Sequence, residues 1–378
     1  MTFAKYIFDM SGLQNLIEAV TESGYQTIGP VIEDGAIVYN PLTSIDDLPR
    51  GYEDEQSGGH YRLTKIAEEG ALQQSCFRTV VGPQSWKRYL FPSAQKMWSA
   101  NRSEKNWQIE EQKLEEPNYA FFGVRPCEIA AIEIQDRVFD NGDHSDSRYK
   151  ANRQNMLIIA VNCTRAASTC FCTSMNGGPK AQNGFDLSLT ELIDDMRHLF
   201  VVEVGSERGG ELIAKLNVRE ASHDEIIEGE NIVSATATAM ERQMPEGARQ
   251  ILLDNLEHPH WQDVAKRCLN CANCTMVCPT CFCSSMEDVT SLDGQHAERW
   301  RKWDSCFTVD FSYIHGGPLR REGSSRYRQW ITHKLANWQD QFGTSGCTGC
   351  GRCITWCPVG IDIRKEVVAL KMSAAAAG

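Results

Sequence analysis

Cys268-Leu-Asn-Cys271-Ala-Asn-Cys274-Thr-Met-Val-Cys278-Pro279 returns in form as Cys347-Thr-Gly-Cys350-Gly-Arg-Cys353-Ile-Thr-Trp-Cys357-Pro358. Each run reads C-x2-C-x2-C-x3-C-P, a ligand spacing for a pair of [4Fe–4S] clusters. Three thiolates at intervals of three wrap a loop around one face of a cubane, and the fourth Cys is carried away to the cluster of the other run. The expected sets are therefore Cys268, Cys271, Cys274 and Cys357 for cluster one, and Cys347, Cys350, Cys353 and Cys278 for cluster two. The proline after each fourth Cys fixes φ and donates no hydrogen bond, which sets a turn beside the cluster. Structural zinc would use paired C-x2-C units with a longer spacer, and it explains neither the third Cys at the same interval nor the terminal Cys-Pro, twice.

A compact ferredoxin places its two runs close together, whereas here roughly 70 residues separate Cys278 from Cys347. The expected C-terminal unit, residues 260–378, is a mainly α-helical dicluster ferredoxin-like domain with a long insertion, 284–343. The insertion holds Trp300, Trp303, Cys306 and His315-Gly-Gly-Pro318. It ends in an expected helix, Arg326 to Gln341, with Trp330, Ile331, Leu335 and Trp338 at near-helical spacing. Most of these aromatics are expected in a core.

Residues 1–250 read as an α/β domain. Gly51 to Gly59 is polar and turn-rich, an expected loop. Tyr119–Val124 and Met156–Val161 are apolar runs of strand length, with an apolar-faced helix, Cys127 to Phe139, between them; the three form a βαβ unit and imply a parallel sheet. Gly184 to Phe200 is expected to begin a helix, with Ser188 at the N-cap and Glu191 three later. Cys127 and Cys163 each follow the carboxyl end of a strand, and in an open α/β sheet those ends share one edge, where ligands bind. Cys170 and Cys172 continue on the same loop. A third [4Fe–4S] cluster held by Cys127, Cys163, Cys170 and Cys172 is the preferred reading; buried packing thiols and a zinc site are the alternatives.

A short repeat relates Thr169-Cys-Phe-Cys-Thr-Ser-Met175 to Thr280-Cys-Phe-Cys-Ser-Ser-Met286, each followed by a Gly-Gly-Pro. Cys76, Cys281, Cys283 and Cys306 remain unassigned. They are numerically enough for a fourth cluster, though packing and hydrogen bonding near cluster two is the preferred role.

The whole chain agrees with a metal-binding reading. Among 378 residues there are sixteen cysteines, eleven of them after residue 267. Free packing thiols do not explain such clustering, and without a secretory signal at the N-terminus the cysteines point to metal before disulfides. Hydrophobic residues at 42% and charged residues at 23% exclude wholesale disorder. The net charge of −12 argues against nucleic acid as the default partner. No run approaches the roughly 20 apolar residues of a membrane helix. Residues 220–265 carry ten acidic and two basic side chains, and 299–334 carry eight basic and three acidic, an asymmetry that could orient docking to partner subunits.

Tyr119-Ala-Phe-Phe-Gly-Val-Arg-Pro-Cys127-Glu-Ile-Ala-Ala-Ile, the Cys163/Cys170-Phe-Cys172 region and Cys274-Thr-Met-Val-Cys-Pro-Thr-Cys-Phe-Cys283 resemble the iron–sulfur β subunit of cytoplasmic sulfhydrogenases, the soluble NAD(P)-linked [NiFe] hydrogenases. The A subunit of anaerobic sulfite reductase is similar. The resemblance spans roughly residues 60–370. Cys76 and the Ala-rich tail after Ser373 have no counterpart in the family pattern. The double cysteine run is shared by many redox proteins; the Gly-Val-Arg-Pro-Cys and Thr-Cys-Phe-Cys elements are more specific. The resemblance implies a cytoplasmic, non-catalytic electron-relay subunit beside a flavin- and NAD(P)-binding subunit and hydrogenase or sulfite reductase subunits. A stand-alone iron–sulfur protein is the reading from another class. No G-x-G-x-x-G dinucleotide fingerprint and no P-loop occur, so substrate chemistry is expected on other chains.

Overall fold

Along Tyr119–Val124 and Leu157–Val161 successive side chains face opposite ways, and both directions are buried. That is the pattern of strands covered on two sides. The computed structural model describes residues 4–377 apart from 68, 104–105 and 115–116. In chain order, β1 (Lys5–Asp9), β2 (Gln26–Glu33) and β3 (Ala36–Pro41) precede two hairpins, β4 (Tyr52–Ser57) with β5 (His60–Lys65) and β6 (Ala94–Ser103) with β7 (Asn106–Glu111). β8 (Tyr119–Val124), β9 (Leu157–Val161), β10 (Leu187–Asp194), β11 (Arg197–Val204) and β12 (Arg219–Glu220) follow, then β13 (Ser284–Thr290) and β14 (His296–Trp303).

An eight-stranded sheet runs in the order β12-β1-β11-β10-β9-β8-β2-β3. Its centre, β2, β8, β9 and β10, is parallel. Its flanks are antiparallel, so the sheet is mixed where a parallel one is implied by the βαβ unit alone. Hairpins such as β2–β3 close in a few residues and add antiparallel edges without a crossover helix. Phe122, Leu157, Ile159 and Val161 pack on one face with Leu13, Leu16 and Ile17 of the helix Met10–Glu22. Phe121, Ile158 and Ala160 pack on the other face with Ile129 and Ile132 of the helix Pro126–Phe139.

Two expectations fail. The helix read over Gly184–Phe200 is the antiparallel pair β10–β11. Leu187, Leu189 and Glu191 alternate with Ser188, Thr190 and Leu192, a period of two that overrides the capping signature. Asp194 then closes the turn, accepting from the Met196 and Arg197 N–H groups. Gly51–Gly59, expected as a loop, contains β4, which turns at Gly58-Gly59 into β5. Its Asp54 and Gln56 are buried polar residues with specific partners, which composition alone reads as solvent-facing.

The C-terminal region packs a separate core of Trp261, Val264, Tyr327, Trp330, Ile331, Leu335, Ile354 and Val367. The expected helix at 326–341 lies within a continuous helical stretch, Gly323–Thr332, a π turn at His333–Asn337, and Trp338–Phe342. Within the insertion, β13 and β14 form a hairpin whose second strand pairs with β6. The final helix, Ile363–Ala377, takes in most of the Ala-rich tail; Gly378 lies outside the described residues.

Candidate metal centres

The two cysteine runs fold by the same backbone device. In the first, Asn270 and Ala272 adopt positive φ on either side of Cys271 (52° and 65°); in the second, Gly349 and Gly351 do so on either side of Cys350 (71° and 79°). The left-handed residues coil the chain so that successive thiols face inward. One helical turn follows each coil, Asn273–Met276 and Arg352–Thr355, and delivers the fourth Cys.

The fourth Cys of each run meets the first three of the other. Cys268, Cys271 and Cys274 line a cavity with Cys357 and the rings of Phe307, Tyr327 and Trp330. Cys357 is among the charges acting on Cys268 and on Cys274. Cys278 in turn acts on Cys347, Cys350 and Cys353. Burial pushes Cys347 up to about 12 and raises Cys268, Cys274 and Cys353 as well, because a thiolate has no water there. A metal that binds such thiols displaces their protons to solvent, which makes metal binding and proton release one event. Two donors already face the sulfurs: the Ile361 N–H lies 3.3 Å from Cys357 Sγ, and Lys334 Nζ lies 3.3 Å from Cys278 Sγ.

The N-terminal cysteines also converge. Cys127 sits in the first turn of the helix after β8, where burial pushes its thiol well above the usual range. Cys163 comes two residues after β9, and its N–H donates to Pro179 O at 3.0 Å. Cys163, Cys170 and Cys172 act on one another, and Cys127 is coupled to Cys172. Burial pushes Cys170 up to about 12. Cys127, Cys170 and Cys172 share a cluster of buried side chains with Cys350 of the second run. Parallel strand ends therefore place this group directly against the dicluster region.

Backbone packing holds that junction. Phe171 N–H donates to Gly349 O at 2.9 Å. A Cβ on Gly349 would stand 2.6 Å from Cys172 Cα, and one on Gly351 would stand 2.5 Å from Thr169 O. Between the two groups lies a buried ion pair, Arg352 with Glu128, both close to fully buried. Arg352 also donates to Gly82 O and Gln84 O, and Glu128 accepts from the Trp86 N–H. The β4–β5 hairpin clamps the same region. Asp54 pairs with Arg165 at 3.1 Å, Gln56 Oε1 accepts from Thr355 Oγ1 at 2.8 Å, and Gly59 N–H donates to Ile354 O at 3.1 Å. None of these residues was singled out by motif; the Gly58-Gly59 pair and the Glu following Cys127 were the available signals.

Cys76 stands apart from all of this. Its Sγ lies 3.7 Å from Met10 Sδ in the core of the sheet. Its ligand atom lies within 4.8 Å of those of Glu191 and His198. Glu191 is fully committed, however, accepting from Ser75 Oγ, from the Cys76 and Phe77 N–H groups and from His198. That carboxylate is a hydrogen-bond hub for the 75–77 segment. Cys281, Cys283 and Cys306 gather instead beside Cys278 and Lys334. No helix among the described residues is long and apolar enough to cross a membrane.

Residues 267–361 match the family model of the 4Fe-4S dicluster domain. The chain is 28% identical over 322 residues to sulfhydrogenase 2 subunit beta of Pyrococcus furiosus, covering 84% of this chain and 91% of that protein. No solved structure matches the chain. The resemblance read from Tyr119–Ile132 and from the cysteine segments is thereby borne out: the chain is a homologue of a sulfhydrogenase β subunit and carries [4Fe–4S] ligation in its C-terminal region.

Proposed function

Taking this homologue of a sulfhydrogenase β subunit as the starting point, we propose that it is the iron–sulfur relay subunit of a soluble hydrogenase complex. It passes electrons between a flavin- and NAD(P)-binding subunit and the catalytic subunits, and it performs no substrate chemistry itself. Cluster one is held by Cys268, Cys271, Cys274 and Cys357, and cluster two by Cys347, Cys350, Cys353 and Cys278. A third [4Fe–4S] cluster is held by Cys127, Cys163, Cys170 and Cys172. The observation that carries the reading is the contiguity of the three groups. Cys274 acts on Cys353 across the first junction, and Cys350 acts on Cys127 across the second. Three clusters in a row make a path through the chain, which an isolated ferredoxin pair does not need. Two units divide the work: residues 1–250 carry the third cluster on a sheet edge, and residues 260–378, with the insertion 284–343, carry the pair. Thiols used for metal in place of disulfides fit a cytoplasmic location.

The test is to isolate the full-length tagged chain anaerobically from its own source and identify what accompanies it. A nickel-site large subunit and a flavin subunit are expected, with hydrogen and NAD(P)H each bleaching the iron–sulfur absorbance. A siroheme protein in their place would move the chain to a sulfite reductase. A monomer with no companions would make it a stand-alone iron–sulfur protein.

A further inference from the structure

Three quartets account for twelve of the sixteen cysteines, and Cys76 is removed by its place in the sheet core. The other three meet for a topological reason. In the β13–β14 hairpin Ser284 is paired with Trp303, so the strands' open end places Cys283, just before β13, beside the segment just after β14. Asp304 N–H donates to Cys283 O at 2.8 Å, which ties Cys306, two residues on, to the same spot. Cys306 is the strongest influence on the Cys283 thiol, and Cys281 on the Cys278 thiol. Cys283 and Cys306 line a cavity of about 650 Å³ together with His333 and Arg320.

Two buried ammonium groups flank this segment, Lys87 at the Cys281 carbonyl and Lys334 at Cys278, the ligand assigned to cluster two. Lys87 is 4% exposed, and its Nζ donates to Cys281 O at 3.0 Å while lying 3.8 Å from the Trp303 ring centroid. Lys334 is 3% exposed and touches Cys278 Sγ. Buried lysines without a carboxylate partner are costly unless a negative group compensates them. A thiolate-bound iron–sulfur cube is such a group. The Thr-Cys-Phe-Cys repeat adds a parallel: its first copy, in the reading above, supplies two ligands to cluster three.

We propose that Cys281, Cys283 and Cys306 hold a fourth iron–sulfur cluster, a [4Fe–4S] cube bound by three thiolates whose fourth iron faces the cavity lined by His333. Each thiol releases its proton to solvent as it binds. The cube stands beside cluster two through the Cys278–Cys281 contact, as a branch off the relay that opens to solvent.

The test measures iron, zinc and acid-labile sulfide in the full-length chain purified anaerobically. Wild type is expected to hold about 16 iron, four cubes of four, and the Cys283→Ser/Cys306→Ser double variant about 12 with the dicluster signals intact. Wild-type iron in the double variant, or loss of zinc alone, overturns the proposal. Cys127→Ala provides the separate arm: if it loses no iron, the third cluster falls, while the difference between wild type and the double variant still stands or fails by itself. Alkylation of the unmutated holoprotein needs no variant. Cys283 and Cys306 should resist iodoacetamide until an iron chelator is added; labelling before chelation, with Cys268 and Cys347 still protected, overturns the proposal.

Discussion

Replacing Gly349 by Ala separates two costs that the structure keeps distinct. Gly349 has φ +71°, and a Cβ there would stand 2.6 Å from both Cys172 Cα and Phe171 O. Gly35 has nearly the same backbone, φ +72°, with nothing within 4 Å of its would-be Cβ. Both substitutions incur the left-handed penalty of a residue with a Cβ, roughly 1–2 kcal/mol. Only Gly349→Ala adds steric overlap against backbone that cannot rotate away, about 1–3 kcal/mol more. At about 2 °C per kcal/mol for a chain of this size, Gly35→Ala should lower the melting temperature by about 2–4 °C and Gly349→Ala by about 4–10 °C. The overlap also has a chemical consequence, because the displaced loop carries Cys170 and Cys172. Gly349→Ala should therefore lose up to about four iron, one cube, and Gly35→Ala none. The assay is anaerobic thermal unfolding of both variants at one scan rate, with iron analysis of each. Equal melting temperatures and equal iron would refute the claim that the 169–172 loop is docked on the second cysteine run.

Cys357→Ser should abolish the cluster of Cys268, Cys271 and Cys274 and spare its near neighbour, with Cys278→Ser doing the converse; Mössbauer spectra in which each variant loses the adjacent cluster would contradict the crossed ligation. Glu128→Gln leaves Arg352 buried without its counter-charge and should destabilise the protein by roughly 3–5 kcal/mol, read by anaerobic denaturant unfolding against Glu257→Gln at the surface. The metal-free protein should lose stability in alkali. Burial raises Cys170 and Cys347 to about 12 in the folded state, above the roughly 8.5 of an unfolded thiol. The folded form then binds more protons, so this contribution is complete below about pH 8.5 and is lost as pH rises toward 12. Melting temperatures that stay level over that window would show that these thiols are not buried as described.

What the sequence made legible was what repeats or alternates cleanly. The two C-x2-C-x2-C-x3-C-P runs carry their geometry in their spacing, and the apolar runs at 119–124 and 157–161 carry theirs in composition. Cys127 and Cys163 could be placed together because parallel strand ends share an edge. The segment at 184–200 was misread because Ser188 and Glu191 imitate a capping box, while the decisive alternation runs through Thr190 and Glu191, polar residues whose burial depends on partners distant in the chain. The β4–β5 hairpin was hidden for a related reason: Asp54 and Gln56 are buried only because Arg165, Val81 and Thr355 satisfy them. The junction between the cysteine groups rests on Gly349, Gly351 and the Arg352–Glu128 pair, and which residues a glycine lets approach is not written locally.

The central claim is that the four N-terminal cysteines hold a cluster in electronic contact with the ferredoxin-like pair. Spin-quantified EPR of the fully reduced full-length chain, wild type against Cys127→Ala, tests it most directly. The account predicts that the variant loses about one reduced-cluster spin per chain, together with the magnetic coupling that this spin imposes on cluster two, while the coupling within the dicluster pair persists. Identical spin counts and line shapes in the two proteins would contradict it and would leave Cys127, Cys163, Cys170 and Cys172 as packing thiols.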